Sequence, residues 1–234
     1  MTTPRPSFMP ALLAIVAVAG CAPADDTPPT SDTAAGAIAE ELPPLEAPPE
    51  GATTFVVAAT GNEVRYRIRE QLAGVDFPND AIGKSASVTG QIVVGDDGRV
   101  VAEASRFVVD AATFVSDRDR RDNYVRRRLL TVEEHPTITL VPTETRGLAI
   151  PASGSGSDTF ELVANLTVRG VTRPTTWSAT AQFQDGRVSG NASTRFTFPD
   201  FQMEKPRVRS VLSVADTIAL EYDFTLVREE GPTP

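Results

Sequence analysis

An antiparallel all-β domain with one helix inserted near residues 117–130 is the fold class the sequence predicts. Three observations predict it. Eight or nine segments rich in β-branched and aromatic residues follow one another between Thr53 and Val227. Turn signals separate them, notably Gly61-Asn62, Gly95-Asp96-Asp97-Gly98 and Asp185-Gly186. One window only, Ser116–Leu130, breaks the β pattern. So many strands must hide their edges. Closure into a barrel hides them best, a two-sheet sandwich is the other solution, and composition does not separate the two.

The elements follow in order. Thr54–Thr60 is a first strand. Glu63–Arg69 alternates strictly: Val64, Tyr66 and Ile68 face one way, and Arg65, Arg67 and Arg69 face water. Val75–Lys84 reads as a loop. Ser87–Val94 and Arg99–Val109 flank the Asp-Gly turn of a hairpin. The window from Ser116 carries helix signals. Ser116 is a candidate cap with Asp119 at the capping-box position, and Asp117 and Asp119 suit the positive N-terminus. Arg126, Arg127 and Arg128 suit the C-terminal end, and Val125 and Leu129 share a face. His135-Pro136 ends any continuation, which makes His135 a turn residue. Thr137–Thr143 and Thr159–Val168 flank a Gly/Ser-rich loop. Thr175–Gln184 and Arg187–Phe196 flank Asp185-Gly186. Thr217–Val227 closes the series with Ile218, Leu220, Tyr222, Phe224 and Leu226 on one face.

Charge divides the 234-residue chain. Residues 22–50 hold seven acids, no Lys or Arg, and seven of the 19 prolines. Such a stretch cannot bury a core and reads as a disordered, extended tether. Most of the net charge of −9 belongs to it, so the remainder from residue 51 is close to neutral. Ahead of it, Arg5 and the apolar run Ala11–Ala19 read as an export signal too short to span a bilayer. Val18-Ala19-Gly20-Cys21 resembles a bacterial lipobox, whose Cys is acylated and becomes the mature first residue. Cys21 is therefore the lipidation candidate and the membrane attachment. The expected organisation is a signal peptide over 1–20, an acylated Cys and acidic tether over 21–50, and a barrel domain over 51–230. The place of action is then the bacterial envelope.

Two motifs carry a wider resemblance. Asp110–Arg128, leading through Leu129 to Pro136, is similar to the central motif of the YceI-like family. Asn165-Leu-Thr-Val-Arg-Gly-Val-Thr-Arg-Pro174 resembles its second signature, a Gly-Xxx-Leu-Thr-Xxx-Xxx-Gly-Val-Thr-Xxx-Pro hairpin. The likeness spans roughly residues 54–228. It implies a closed, lipocalin-like antiparallel barrel of about eight strands with an elongated apolar cavity. It also implies a non-enzymatic carrier or sequestering protein for an isoprenoid or another amphiphile. No cofactor is implied beyond a bound polyisoprenoid or fatty-acid-like lipid. A homodimer is compatible with the sequence.

From the matching motif, Phe107, Val109, Phe114, Tyr124 and Leu129 are candidates to line such a cavity. Phe196, Phe198, Phe201, Tyr222 and Phe224 are later candidates. Arg118, Arg121 and Asp122 are candidates to hold a head group or to lock the helix to the barrel rim. Thr167, Gly170, Val171, Thr172 and Pro174 read as fold determinants, with Gly170 in a special backbone angle and Pro174 at a strand start. The chain departs from the family at Val75–Lys84. It departs again at Phe198-Pro199-Asp200-Phe201-Gln202, where the family has Arg-Xxx-Asp-Phe-Gly.

Other classes fare worse. One Cys excludes an internal disulfide and any multi-cysteine metal site, and one His excludes sites needing two. No Gly-Xxx-Ser-Xxx-Gly nucleophile elbow occurs. Arg118–Arg128 holds six Arg, but Asp117, Asp119 and Asp122 interleave with them, which suits an internally paired helix and not a nucleic-acid groove. The remaining rival is an envelope structural or interaction module with a filled barrel and no ligand.

Overall fold

The computed structural model describes residues 42–149 and 154–229. The expected export signal, Cys21 and most of the expected tether lie outside the described residues. Strands β1 (Thr53–Val57), β2 (Glu63–Leu72), β3 (Asn79–Ser85), β4 (Val88–Val94) and β5 (Arg106–Asp110) precede helix α1 (Asp119–Tyr124). Strands β6 (Thr137–Arg146), β7 (Gly156–Val168), β8 (Val171–Gln184), β9 (Arg187–Thr197) and β10 (Val211–Arg228) follow it.

All strand pairs are antiparallel and the sheet closes. β1 pairs with β4 on one side and with the C-terminal part of β10 on the other. β2 pairs with β3 and with the N-terminal part of β10. β1 and β2 are thus two halves of one bent strand, and β3 and β4 are two halves of its neighbour. The ten segments fill eight positions of a closed antiparallel barrel, as the family resemblance implies. The bend between β1 and β2 has a local cause. Gly61 takes φ +85°, and the Asn62 amide donates to Ala58 O at 2.8 Å. Its carbonyl accepts from Tyr222 Oη at 2.8 Å and from Thr225 N at 3.1 Å. One Asn therefore satisfies backbone left open by the bend and the buried phenol across it.

Two tight turns follow the sequence signals. Asp185-Gly186 joins β8 to β9 with φ +46° and +75°, and Arg169-Gly170 joins β7 to β8 with φ +52° and +70°; both fit the type I′ turn of a two-residue hairpin. A side chain at Gly170 would also meet the His135 ring, at 2.9 Å from Cε1.

Several boundaries differ from expectation. The first strand ends at Val57, where the bend begins. Asn79–Ser85, read as loop, is strand β3. The Arg99–Val109 strand is broken by a 3-10 turn at Ala102–Ala104. The fully buried Ser105 hydroxyl stabilises that break, donating to Val101 O at 2.7 Å and accepting from Val93 N at 2.8 Å. Pro174 lies inside β8, opposite Asn165, where β8 has not yet begun to pair with β9 and its missing N–H costs no ladder bond. Leu42–Glu50 carries neither helix nor strand and is held to the body by Glu46 N donating to Glu103 O at 3.1 Å.

The inserted helix spans Asp119–Leu129 as an α turn followed by a π turn, Val125–Leu129. Its N-cap is Arg118, not Ser116. The Ser116 hydroxyl instead donates to the buried Asp122 carboxylate at 2.6 Å. The wider π turn buries Val125 and Leu129 and leaves Arg127 and Arg128 in solvent. Outside the barrel, the arginines of β2 form a ladder of ion pairs. Arg65 meets Glu63, Glu221 and Asp223, Arg67 meets Glu221 and Asp80, and Arg69 meets Asp80. These bonds hold the Glu221 carboxyl below its usual range, Arg67 first and Arg65 second.

Candidate functional site: two apolar chambers and an arginine rim

The barrel axis runs between two ends. The hairpin end carries the loops after β4, β6 and β8. The helix end carries α1, the β2–β3 hairpin and the segment before β10. An apolar chamber opens at each. The hairpin-end chamber holds about 330 Å³ and the helix-end chamber about 840 Å³.

Small inward residues make the hairpin-end chamber. Ala179 on β8 and Ala192 on β9 face it between Phe183, Trp177 and Phe224. Bulky inward side chains fill the middle of the barrel instead. The Tyr66 and Phe114 rings lie 5.7 Å apart, and those of Phe107 and Tyr222 lie 6.1 Å apart. Only voids of about 60 and 30 Å³ remain there. The four spaces share walls: Tyr222 borders the hairpin-end chamber and the 30 Å³ void, Phe114 both voids, and Tyr66 the 60 Å³ void and the helix-end chamber. Aromatic rings thus separate the two chambers along an apolar axis, with only these small voids between them.

The helix-end chamber differs in chemistry. Ile68, Leu72, Val125, Leu129 and Val214 make an apolar wall, and Arg118, Arg120, Arg127, Arg128 and Arg209 border the same space. Beneath them lies a buried ion pair, Arg121 Nη2 to Glu70 Oε1 at 2.6 Å, with both side chains nearly out of solvent. Arg121 also bonds Asp117, and these two carboxylates raise its pKa against the opposing effect of burial. Glu70 thus ties the inserted helix to β2. Tyr66 is buried over Gly83, where a Cβ would lie 2.2 Å from its ring. Its hydroxyl has no hydrogen-bond partner, and burial pushes its pKa up to about 12.

The sequence-derived candidates spread along the whole axis. Phe107, Tyr222 and Phe224 border the hairpin-end chamber. Val109, Phe114, Phe196 and Phe198 border the narrow middle. Tyr124, Leu129, Arg118 and Arg121 border the helix-end chamber. Phe201 borders none of the four spaces; it is fully buried with its ring 4.8 Å from that of Phe196. Asp122 borders none either, because Ser116 takes its carboxylate. The residues that sequence reasoning missed are Glu70, Val214 and Trp177. Glu70 left a readable signal, because it continues the inward phase of Val64, Tyr66 and Ile68. Among the described residues no group of three or more His, Cys, Asp or Glu is placed to hold a metal.

The YceI-like domain model matches residues 55–226, which is most of the chain and nearly all of the barrel. The chain belongs to the YceI-like family. Solved structures agree at the level of fold. One similar structure is a polyisoprenoid binding domain from Saccharophagus degradans implicated in plant cell wall breakdown. It has 12% sequence identity and a TM-score of 0.57 over 76% of this chain and 99% of that one. Another is BcnA from Burkholderia cenocepacia, at 15% identity and a TM-score of 0.51 over 70% of this chain and 95% of that one. None of the curated proteins compared with the sequence matches it significantly. This YceI-like barrel departs from the family motif where Phe198 and Gln202 stand for Arg and Gly. Phe198 is fully buried against the narrow middle, so the axis is apolar at a position where the family motif places a cation.

Proposed function

We propose that this YceI-like protein binds an amphiphilic lipid, an isoprenoid or a fatty-acid-like chain, and carries or sequesters it in the bacterial envelope. The observation that carries this reading is the helix-end chamber of about 840 Å³, apolar on its wall and bordered by arginines. Each buried methylene contributes about 0.8 kcal/mol, so a short stretch of chain supplies the affinity. Arg118 and its neighbours then face the polar head, and Leu129 and Tyr124 face the chain. Phe114, Phe107 and the other aromatic candidates further in meet the chain only where it enters the narrow middle. The polyisoprenoid binding domain of similar fold supports the ligand class.

Cys21, acylated, anchors the protein, and the acidic segment spaces the barrel from the bilayer. Replacing Cys21 by Ala should move the protein from the membrane fraction to the soluble fraction on fractionation of its host. Unchanged membrane attachment would contradict the anchor. For the ligand, native mass spectrometry of protein purified from its own host should show a bound amphiphile that lipid extraction identifies. A mass equal to the bare protein, together with no uptake of a fluorescent fatty acid, would favour the filled-barrel module.

A further inference from the structure

We propose that the helix-end rim is a docking face that seats on an anionic lipid bilayer. The proposal goes beyond ligand binding in the barrel and rests on the outside of the rim. Five large apolar side chains stand exposed among the described residues. Four of them, Val75, Phe77, Val208 and Leu212, belong to the two segments that meet at this end. Ala73 N donates to Ser210 O at 3.0 Å, which brings the β2–β3 hairpin tip and the segment before β10 side by side. Val75 and Val208 border the chamber mouth itself, and Phe77 is 78% exposed. An apolar ring that size is costly to leave in water and has no partner within the barrel.

Charge complementarity names the partner. Asp117–Arg128 carries six Arg against three Asp, and Glu204–Ser210 adds Lys205, Arg207 and Arg209 against Glu204. Arg120, Arg127, Arg128, Arg207 and Arg209 make no ion pair among the described residues, whereas the arginines of β2 are all paired. Asp76 and Asp80 lie at the same end and Asp216 pairs with Lys205, so the free cations of the rim are these five arginines. Apolar side chains level with a ring of unpaired arginines suit the interface of an anionic bilayer, with phosphates beside the guanidinium groups and Phe77 among the acyl chains. A bilayer seated there meets the open mouth of the chamber, so an amphiphile can pass between them without crossing water.

Flotation with vesicles tests this, using the full chain bearing Cys21→Ala so that acylation does not hold it. The apolar leader is common to all variants, so differences between them report the rim. Binding should be about tenfold tighter to phosphatidylcholine vesicles containing phosphatidylglycerol than to phosphatidylcholine alone, and should weaken with salt. Arg127→Glu with Arg128→Glu should abolish that preference, and Phe77→Asp should weaken binding. Arg187→Glu at the hairpin end should change nothing. All four substituted residues are exposed, and thermal melting checks that the variants are folded. Equal binding to both vesicle types, or unchanged binding by the double arginine variant, would overturn the proposal. So would release by soluble glycerol phosphate, which would show a single head-group site and not a surface. Filling the chamber with Val214→Phe should leave vesicle binding intact, so a failure of ligand uptake and a failure of docking are separately visible.

Discussion

Gln202 ends the 3-10 turn Phe198–Phe201 with φ +53° and ψ +31°, the left-handed conformation that glycine adopts freely. The family motif has Gly at this position, and here the strain is borne by surrounding bonds. Asp200 accepts from Thr197 N and Oγ1 at 2.6 and 2.8 Å, which lowers its pKa, and Arg173 Nε donates to Asp200 O at 3.0 Å. Arg169 adds a bond to Gln202 O at 3.2 Å. Replacing Gln202 by Gly should therefore raise stability by about 1 kcal/mol, read from the urea midpoint at constant slope. No gain would mean that the turn has relaxed around Gln202. The companion change, Arg to Phe198, fills the narrow middle in place of a charge. The cations that remain for a head group are those of the inserted helix and of the segment before β10.

At the scale of elements, the inserted helix is held by one buried ion pair. Glu70 is 7% exposed, so removing Arg121 strands its carboxylate. Arg121→Met should cost about 3 kcal/mol, and adding Glu70→Met should recover most of the loss, because paired removal leaves no buried charge. Urea unfolding of the two variants and the parent checks this. A double variant as unstable as the single one would show that the helix is held by something else. The charges of the segment make the helix legible in the sequence, although Ser116, the expected cap, binds Asp122 instead; Arg121 reads as a locking residue, but its partner Glu70 does not, because it lies on a strand fifty residues earlier. β3 escaped notice for a different reason. Its inward residues are Ala81, Gly83 and Ser85, small because the Tyr66 ring lies on them. A strand without large inward side chains shows no hydrophobic alternation to read. The regular strands around Asp185-Gly186 were plain, since turn chemistry and alternation agree there.

Across the whole molecule, the barrel class and the family were legible from two motifs, but the shape of the interior was not. Whether a barrel is hollow depends on which small and large inward residues fall at one level, and only the closed register sets Ala179 beside Ala192 and Tyr66 against Phe114. The result is two chambers with distinct chemistry, one of them open among arginines. The chain enters the barrel at Thr53, at the hairpin end, opposite that mouth. The helix-end chamber is the proposed lipid site, and titrating a fluorescent fatty acid into the parent, Val214→Phe and Ala179→Leu tests that assignment. Val214 borders the helix-end chamber and Ala179 the other. Val214→Phe should weaken binding by about tenfold while Ala179→Leu leaves it unchanged. Binding lost in Ala179→Leu and kept in Val214→Phe would place the lipid at the opposite end and contradict the account.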